Sequence, residues 1–324
     1  MTEAQPEIRF FSSNWDAIER VRRFSHEAMA TTFEIFIVHP DNRYAEQAAW
    51  AAFDELDRLE AELSRFIENS DVSRINNLTA SQWLTVGADT FECLELCTRL
   101  YAETNGAFDV TIGYFMDCWL GDDKTLRRPS DEQLDIARRR TGMRLLELDE
   151  ANVAVRLLGE AIKVDLGGIG KGYAVDKMGE LLSEWDIDTA LIHAGYSSVF
   201  ALGSPPHAKG WPVTMSNPGD CKETLACLYL RGRALGGSGL QKGRHIIDPR
   251  TARPVGDNRG AWAFAGDAAT ADALSTAFMI MSPDEVKRYC FGHSDTLAMV
   301  ITDGRDTVAG EDKILRYGPW EEYT

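Results

Sequence analysis

The sequence predicts an α+β fold with largely antiparallel or mixed sheets flanked by helices. Three observations carry this. Segments with strand-like alternation come in adjacent groups, as in TALIHAG (189–195) followed at once by SVFALG (198–203). Helical periodicity falls between these groups and does not alternate with single strands, as a doubly wound sheet would require. The chain has 324 residues, 44% of them hydrophobic, enough for an ample core and too many for a disordered chain.

In chain order, residues 1–24 are expected to be a lead-in, residues 25–310 a single domain and residues 311–324 a tail. TTFEIFIV (31–38) alternates as a strand and is introduced by Met29. Residues 43–66 have the spacing of an amphipathic helix, with Phe53, Leu56, Leu59, Leu63 and Phe66 on one face. Ser70 or Asp71 then caps a short helix. Residues 89–103 form another helix, stopped by Thr104-Asn105-Gly106. GAFDVTIG (106–113) follows, apolar except for Asp109.

Residues 121–150 are charge-dense, including Arg138, Arg139 and Arg140, and read as a solvated helix and connection. An extended run at 161–166 leads into a helix marked by Ala174, Val175, Met178, Leu181 and Leu182. Strands are expected at 211–215, 224–231, 260–265 and 296–303, and helices at 269–281 and 283–289. There are no repeats and no low-complexity segments.

The formal net charge is −17 with no compensating basic block, which argues against nucleic acid and anionic membranes as main partners. An anionic ligand would need local cations or a metal ion. No apolar run is long enough to span a membrane. The first twenty residues show neither an apolar segment nor a cleavage-like site. The six cysteines contain no C-x-x-C pair, and Cys93 and Cys97 lie one helical turn apart, a spacing that suits packing. A reduced, cytoplasmic protein is expected.

The stretch around which the chain is organised is KVDLGGIGKGYAVD (163–176). Glycines between an extended run and a helix let backbone approach a ligand, and a helix start offers N–H groups to an anion. A phosphate-handling turn is one reading; a loop packed for steric reasons is the other. The dinucleotide fingerprint is excluded, because Tyr173 or Val175 stands where its third glycine must be. The P-loop is excluded because Gly172, not Ser or Thr, follows Lys171.

Asp272 and Thr276, four apart on a predicted helix, share one face and can offer two oxygens to a hard cation. An ordinary solvated helix face has the same spacing. His245 in HIIDPRT stands near Arg244 and Arg250, a setting suited to an anion, although lone histidines are commonly structural and Arg250 can pair with Asp248. Ser238 is either a polar contact or part of a hairpin loop. Asp109 can accept a hydrogen bond from a base or ring N–H, or simply end a turn. Met29 and Phe66, taken as apolar residues alone, are core.

Together and in this order, MATTFEI, LSRFIENSDVSRIN, GAFDVTIG, VDLGGIGKGYAVDKM, HAGYSSVFALG, HIIDPRTARPV and ADALSTA resemble the ApbE family of FAD:protein FMN transferases. The pieces span about residues 26–282. The resemblance implies a single ApbE-like, T-fold-like α+β domain, with FAD as substrate and Mg2+ as cofactor. It implies packing of Met29 and Phe66 around the flavin. Contacts to FAD are likewise implied for Ala107, Phe108, Asp109, Asp165, Lys171 and Ile247. A metal would be held by Asp272, Thr276 and the carbonyl of Gly168, and His245 falls on the family's general base.

The implied reaction passes FMN to a Thr or Ser hydroxyl of an acceptor protein and releases AMP. Alternatives are hydrolysis of FAD to FMN and AMP, and FAD binding without catalysis. The chain departs from the family pattern at Ala30, where glycine is usual. It departs again at His193 and Tyr196, expected to alter the floor near the glycine turn, and at Gly237 before Ser238. Family members often carry an export signal, which this sequence does not show.

Overall fold

The computed structural model describes residues 11–13, 18, 20–121, 125–217, 220–240, 245–256, 258–302 and 313–322. The chain opens with β1 (Phe11–Ser13), β2 (Val21–Ala28) and β3 (Thr31–Val38), then α1 (Asn42–Leu63), α2 (Asp71–Asn76), β4 (Trp83–Thr85) and α3 (Ala88–Glu103). Next come α4 (Gly113–Trp119), α5 (Asp131–Arg139), β5 (Leu146–Asp149), β6 (Ala154–Leu157) and α6 (Gly170–Glu184). A run of strands follows: β7 (Ala190–Ala194), β8 (Ser198–Leu202), β9 (Trp211–Asn217), β10 (Asp220–Leu230) and β11 (Arg233–Gly239). A small hairpin, β12 (Ile247–Asp248) and β13 (Arg253–Pro254), leads to β14 (Asn258–Ala265), α7 (Ala268–Ile280), α8 (Pro283–Gly292), β15 (Leu297–Thr302) and β16 (Lys313–Tyr317).

The centre is an eight-stranded sheet in the order β16-β15-β14-β11-β8-β7-β3-β2, antiparallel throughout. This is the α+β class expected from the sequence. One face carries Phe33, Ile35, Ile192 and Ala263 and packs against α1, α6 and α7 through Phe53, Val175 and Leu274. The other carries Phe36, Leu191, Trp262 and Phe264 and packs against Trp211, Val213 and Leu228 of a three-stranded β1-β9-β10 sheet. With both faces covered, strand residues of either parity are apolar, which explains runs such as TALIHAG. No helix among the described residues is long and apolar enough to cross a membrane.

Parity corrects one expectation. His193 shares the face of Leu191 and meets Phe36 edge-on at 5.7 Å. It therefore stands on the side of the sheet away from α6, not in the floor beneath the glycine turn. Burial pushes its imidazole down to about 3, so it is neutral.

Two further expectations change. The lead-in and the tail both supply strands: β1 pairs with β9, β2 begins at Val21, and β16 forms one edge of the large sheet. Ser238 lies in β11, a strand inside the large sheet, and not in a hairpin loop. Its glycines read locally as a turn, but α7 needs one of them, Gly236. A Cβ at Gly236 would sit 2.4 Å from the carbonyl oxygen of Ala271. Only a bare backbone lets the helix approach so closely.

Met29 and Ala30 form the tight turn between β2 and β3, with φ of 49° and 57°. Both central residues of such a turn are left-handed, where alanine is strained and glycine is not. The Ala30→Gly variant should be about 0.5–1 kcal/mol more stable, after the larger unfolded-state entropy of glycine is subtracted. A higher urea midpoint at unchanged slope checks this; a lower midpoint contradicts it.

Candidate functional site

Two adjoining cavities lie where α1, α6 and α7 meet the loops at one end of the sheet. The first, about 310 Å³, is lined by Ala107, Phe108, Asp109, Asp165, Gly168, Lys171, His245, Ile247 and Thr276. The second, about 410 Å³, is lined by Met29 and Phe66 with Leu63, Arg65 and Ile67. Asp165, Gly167 and Lys171 line both. The residues singled out from the sequence, scattered from position 29 to position 276, thus come together, and Asp272 stands directly behind them.

Phe66 is not part of α1. The helix ends at Leu63, where Ser64 caps it by donating its N–H to Glu60. The following turn swings Phe66 out until it is 84% exposed, which overturns the reading as core. Arg65 lies 4.8 Å over the Phe66 ring and forms a 3.0 Å ion pair with Asp165. Ser70 caps α2, and Asn76 at its end holds the extended run through Val164, accepting at 2.6 Å and donating at 3.0 Å. Arg65 and Asn76 were not singled out from the sequence. Their only signal is membership of LSRFIENSDVSRIN, since a charge and an amide at helix ends read as solvated.

The glycine turn differs from an open anion cradle. Gly167 donates to Asp165 Oδ1 at 2.7 Å, Ile169 and Gly170 donate to the Leu166 carbonyl, and Gly172 donates to Asp272 Oδ2 at 2.9 Å. These amides serve the fold. Steric need is real as well: a Cβ at Gly172 would lie 2.2 Å from the Ala268 carbonyl oxygen. What the turn brings to the cavity is Gly168. A Cβ there would lie 3.4 Å from Thr276 Oγ1 and 3.4 Å from the Phe108 ring.

Asp272 is buried, which overturns the solvated-face reading of α7. Ser198 Oγ reaches both of its carboxylate oxygens, at 2.6 and 2.7 Å. Burial raises its pKa to about 6, opposed by the charge of Lys171 and by the hydrogen bonds from Ser198 and Gly172. The start of α7 is held by two other carboxylates. Asp176 accepts from the amides of Ala268 and Ala269, and Asp267 caps Thr270. Burial, then the nearby Asp267, pushes Asp176 well above the usual carboxylate range.

Among the described residues no cluster of three or more His, Cys, Asp or Glu could hold a metal. The available donors are one carboxylate, one hydroxyl and one carbonyl, from Asp272, Thr276 and Gly168. That all-oxygen set suits a hard ion such as Mg2+, which keeps several positions for water or phosphate oxygens. It does not suit a softer ion that prefers nitrogen or sulfur.

His245 precedes the β12–β13 hairpin and borders the first cavity beside Ile247. Arg244 lies outside the described residues. Arg250 serves the hairpin, pairing with Asp248 at 3.2 Å and Glu285 at 2.8 Å. Asp109 is buried, and its Oδ1 accepts from the amide and hydroxyl of Thr111 at 2.8 and 2.6 Å. Burial pushes it up to about 6, against the pull of Thr111 and Arg144.

A folded value above the unfolded value of about 3.9 means that the folded state holds the extra proton between the two. Stability therefore falls as pH rises from about 4 to about 6 and stays reduced above that. The Asp109→Asn variant should be more stable at pH 7, by on the order of 2 kcal/mol, with the difference gone near pH 4. Thermal melts at the two pH values check this. Equal stability at pH 7 would show that the carboxylate is not penalised.

The chain resembles proteins of known fold and name. It is 24% identical over 293 residues to the FAD:protein FMN transferase of Klebsiella pneumoniae (strain 342), covering 86% of this chain and 83% of that protein. It is 27% identical over 276 residues to the FAD:protein FMN transferase of Vibrio cholerae (classical Ogawa 395), covering 80% and 81%. The crystal structure of the apbe protein of Thermotoga maritima superposes with a TM-score of 0.82 at 26% identity, covering 94% of this chain and 99% of that one. The sequence model of the ApbE family matches residues 29–301, and the chain belongs to that family.

Proposed function

We propose that this protein transfers the FMN portion of FAD to a Thr or Ser hydroxyl of an acceptor protein, with Mg2+ as cofactor and AMP as the other product. The observation that carries this reading is the meeting of Gly168, Thr276 and His245 at one cavity, with Asp272 buried behind it. The names of the relatives support it. Asp272, Thr276 and the Gly168 carbonyl would hold the ion, which when bound neutralises pyrophosphate charge and makes AMP a better leaving group.

In this reading the apolar second cavity takes the flavin against Met29 and Phe66. Ala107, Phe108, Asp109, Asp165, Lys171 and Ile247 contact the remainder of FAD along the first cavity. His245 takes the proton of the acceptor hydroxyl as the oxygen attacks the FMN-side phosphorus in line. The new P–O bond forms as the bond to AMP breaks, leaving a flavin phosphoester on the acceptor. We infer a reducing, cytoplasmic setting from the cysteine spacing in the sequence, which contains no C-x-x-C pair.

The test is purified protein with FAD and Mg2+, with and without a threonine-bearing acceptor. AMP released only with acceptor, together with acid-stable flavin fluorescence on it, is the expected result. AMP without acceptor would mean hydrolysis, and intact FAD throughout would mean binding alone. Phe66 gives a separate handle. The Phe66→Ala variant should lose about 1.5–3 kcal/mol of FAD affinity, roughly 10–150-fold. Its apo melting temperature should be unchanged, because the ring is 84% exposed. Flavin fluorescence titration checks this, and undiminished affinity would remove Phe66 from the flavin site.

A further inference from the structure

The hydrogen-bond neighbours of Thr276 and Asp272 decide which of their oxygen lone pairs remain available. Ser275 Oγ donates to the Asp272 carbonyl at 2.8 Å, so its own proton is committed. Ser238 Oγ lies 2.7 Å from Ser275 Oγ and 3.2 Å from Thr276 Oγ1. A hydroxyl has one proton to give, so Ser238 must donate to Ser275 and stands as acceptor towards Thr276. The chain of protons runs from Thr276 to Ser238, to Ser275 and into the α7 backbone. Among the described residues no group donates to Thr276 Oγ1, whose lone pairs stay free, as a hydroxyl ligand of a cation requires.

Asp272 is arranged in the same sense. Gly172 donates its amide to Oδ2, and the one proton of Ser198 Oγ, 2.6 and 2.7 Å from Oδ1 and Oδ2, is shared between the two oxygens. A carboxylate oxygen can accept twice, so Oδ1 keeps the greater capacity for a further partner. Ser198 is fully buried on β8 and Ser238 stands on β11, neighbouring strands beneath α7. The two hydroxyls thus rise from a rigid sheet under the two proposed ligands.

Resting on the metal site put forward above, we propose that Ser198 and Ser238 are positioning residues of that site. Ser238 takes the Thr276 proton so that the oxygen faces the ion, and Ser198 fixes the carboxylate of Asp272. Neither need touch the ion. Hydrogen-bond partners of metal ligands typically change metal affinity by about 10–100-fold when removed.

The experiment is Mn2+ titration followed by electron paramagnetic resonance, with Mn2+ alone and with ADP as a diphosphate probe. It compares the unaltered protein with the Ser238→Ala and Ser198→Ala variants. Ser238 borders the cavity, so its truncation opens space to solvent and leaves the core filled; it is the primary variant. Each variant should bind Mn2+ about 10–100-fold more weakly. Transfer assays should show a raised apparent KM for Mg2+, with kcat recovered at saturating Mg2+. A merely structural role would lower the melting temperature without that split. Unchanged Mn2+ affinity in the folded Ser238→Ala variant overturns the proposal, even if Ser198→Ala does not fold. If the unaltered protein itself binds no Mn2+, the metal reading is what fails.

Discussion

Replacing His245 with alanine should lower flavin transfer by about 10²–10⁴-fold while FAD binding is retained. The imidazole borders the first cavity, yet the apolar contacts attributed to the flavin lie in the second, around Met29 and Phe66. Removing the ring therefore deletes a proton acceptor without opening the flavin site. The β12–β13 hairpin should survive, because it is held by the pairing of Ile247 with Pro254 and Asp248 with Arg253, and by Arg250 with Glu285. Single-turnover transfer and FAD fluorescence titration on the same preparation separate the two quantities. A parallel loss of both would show that His245 binds FAD and is not its general base.

The Asp272→Asn variant should lose Mn2+ affinity by at least about 100-fold, more than removal of a neighbouring hydrogen-bond partner. Its fold should not suffer. The amide oxygen can still accept from Gly172, and the new NH2 group can donate to Ser198, whose oxygen accepts as readily as its hydroxyl donates. Loss of a buried charge also removes the desolvation that raises this carboxyl to about 6. Melting at or above the temperature of the unaltered protein, with metal binding and transfer lost, is the expected pattern. Retained Mn2+ affinity would exclude Asp272 as a ligand. A collapse in stability would mean that its role is to hold α6 against α7.

Much of the fold was legible because its signals are local. The cap of α2 at Ser70, one of the two residues expected there, is a short-range hydrogen bond that its own residues specify. The alternating run of β3 and the stop after α3 at Asn105 and Gly106, with φ of 51° and 73°, are equally local. β11 was not legible, because its glycines carry no strand pattern, and the need for one of them, Gly236, comes from a helix packed onto it from elsewhere in the chain. β2 and β16 were missed for a related reason: their identity as strands comes from their pairing partners.

The sequence by itself determined the fold class, the family and which side chains are chemically able to serve an anionic dinucleotide and a hard cation. Motif order and residue type are properties of the chain alone. The tertiary structure decided that Asp272 is buried and its helix is not a solvated one. It also turned Phe66 outward, spent most of the glycine-turn amides on the fold, and set His193 on the far side of the sheet. Each of those outcomes depends on neighbours distant in sequence, because burial and hydrogen-bond partnership are set by what packs against a residue and not by what precedes it.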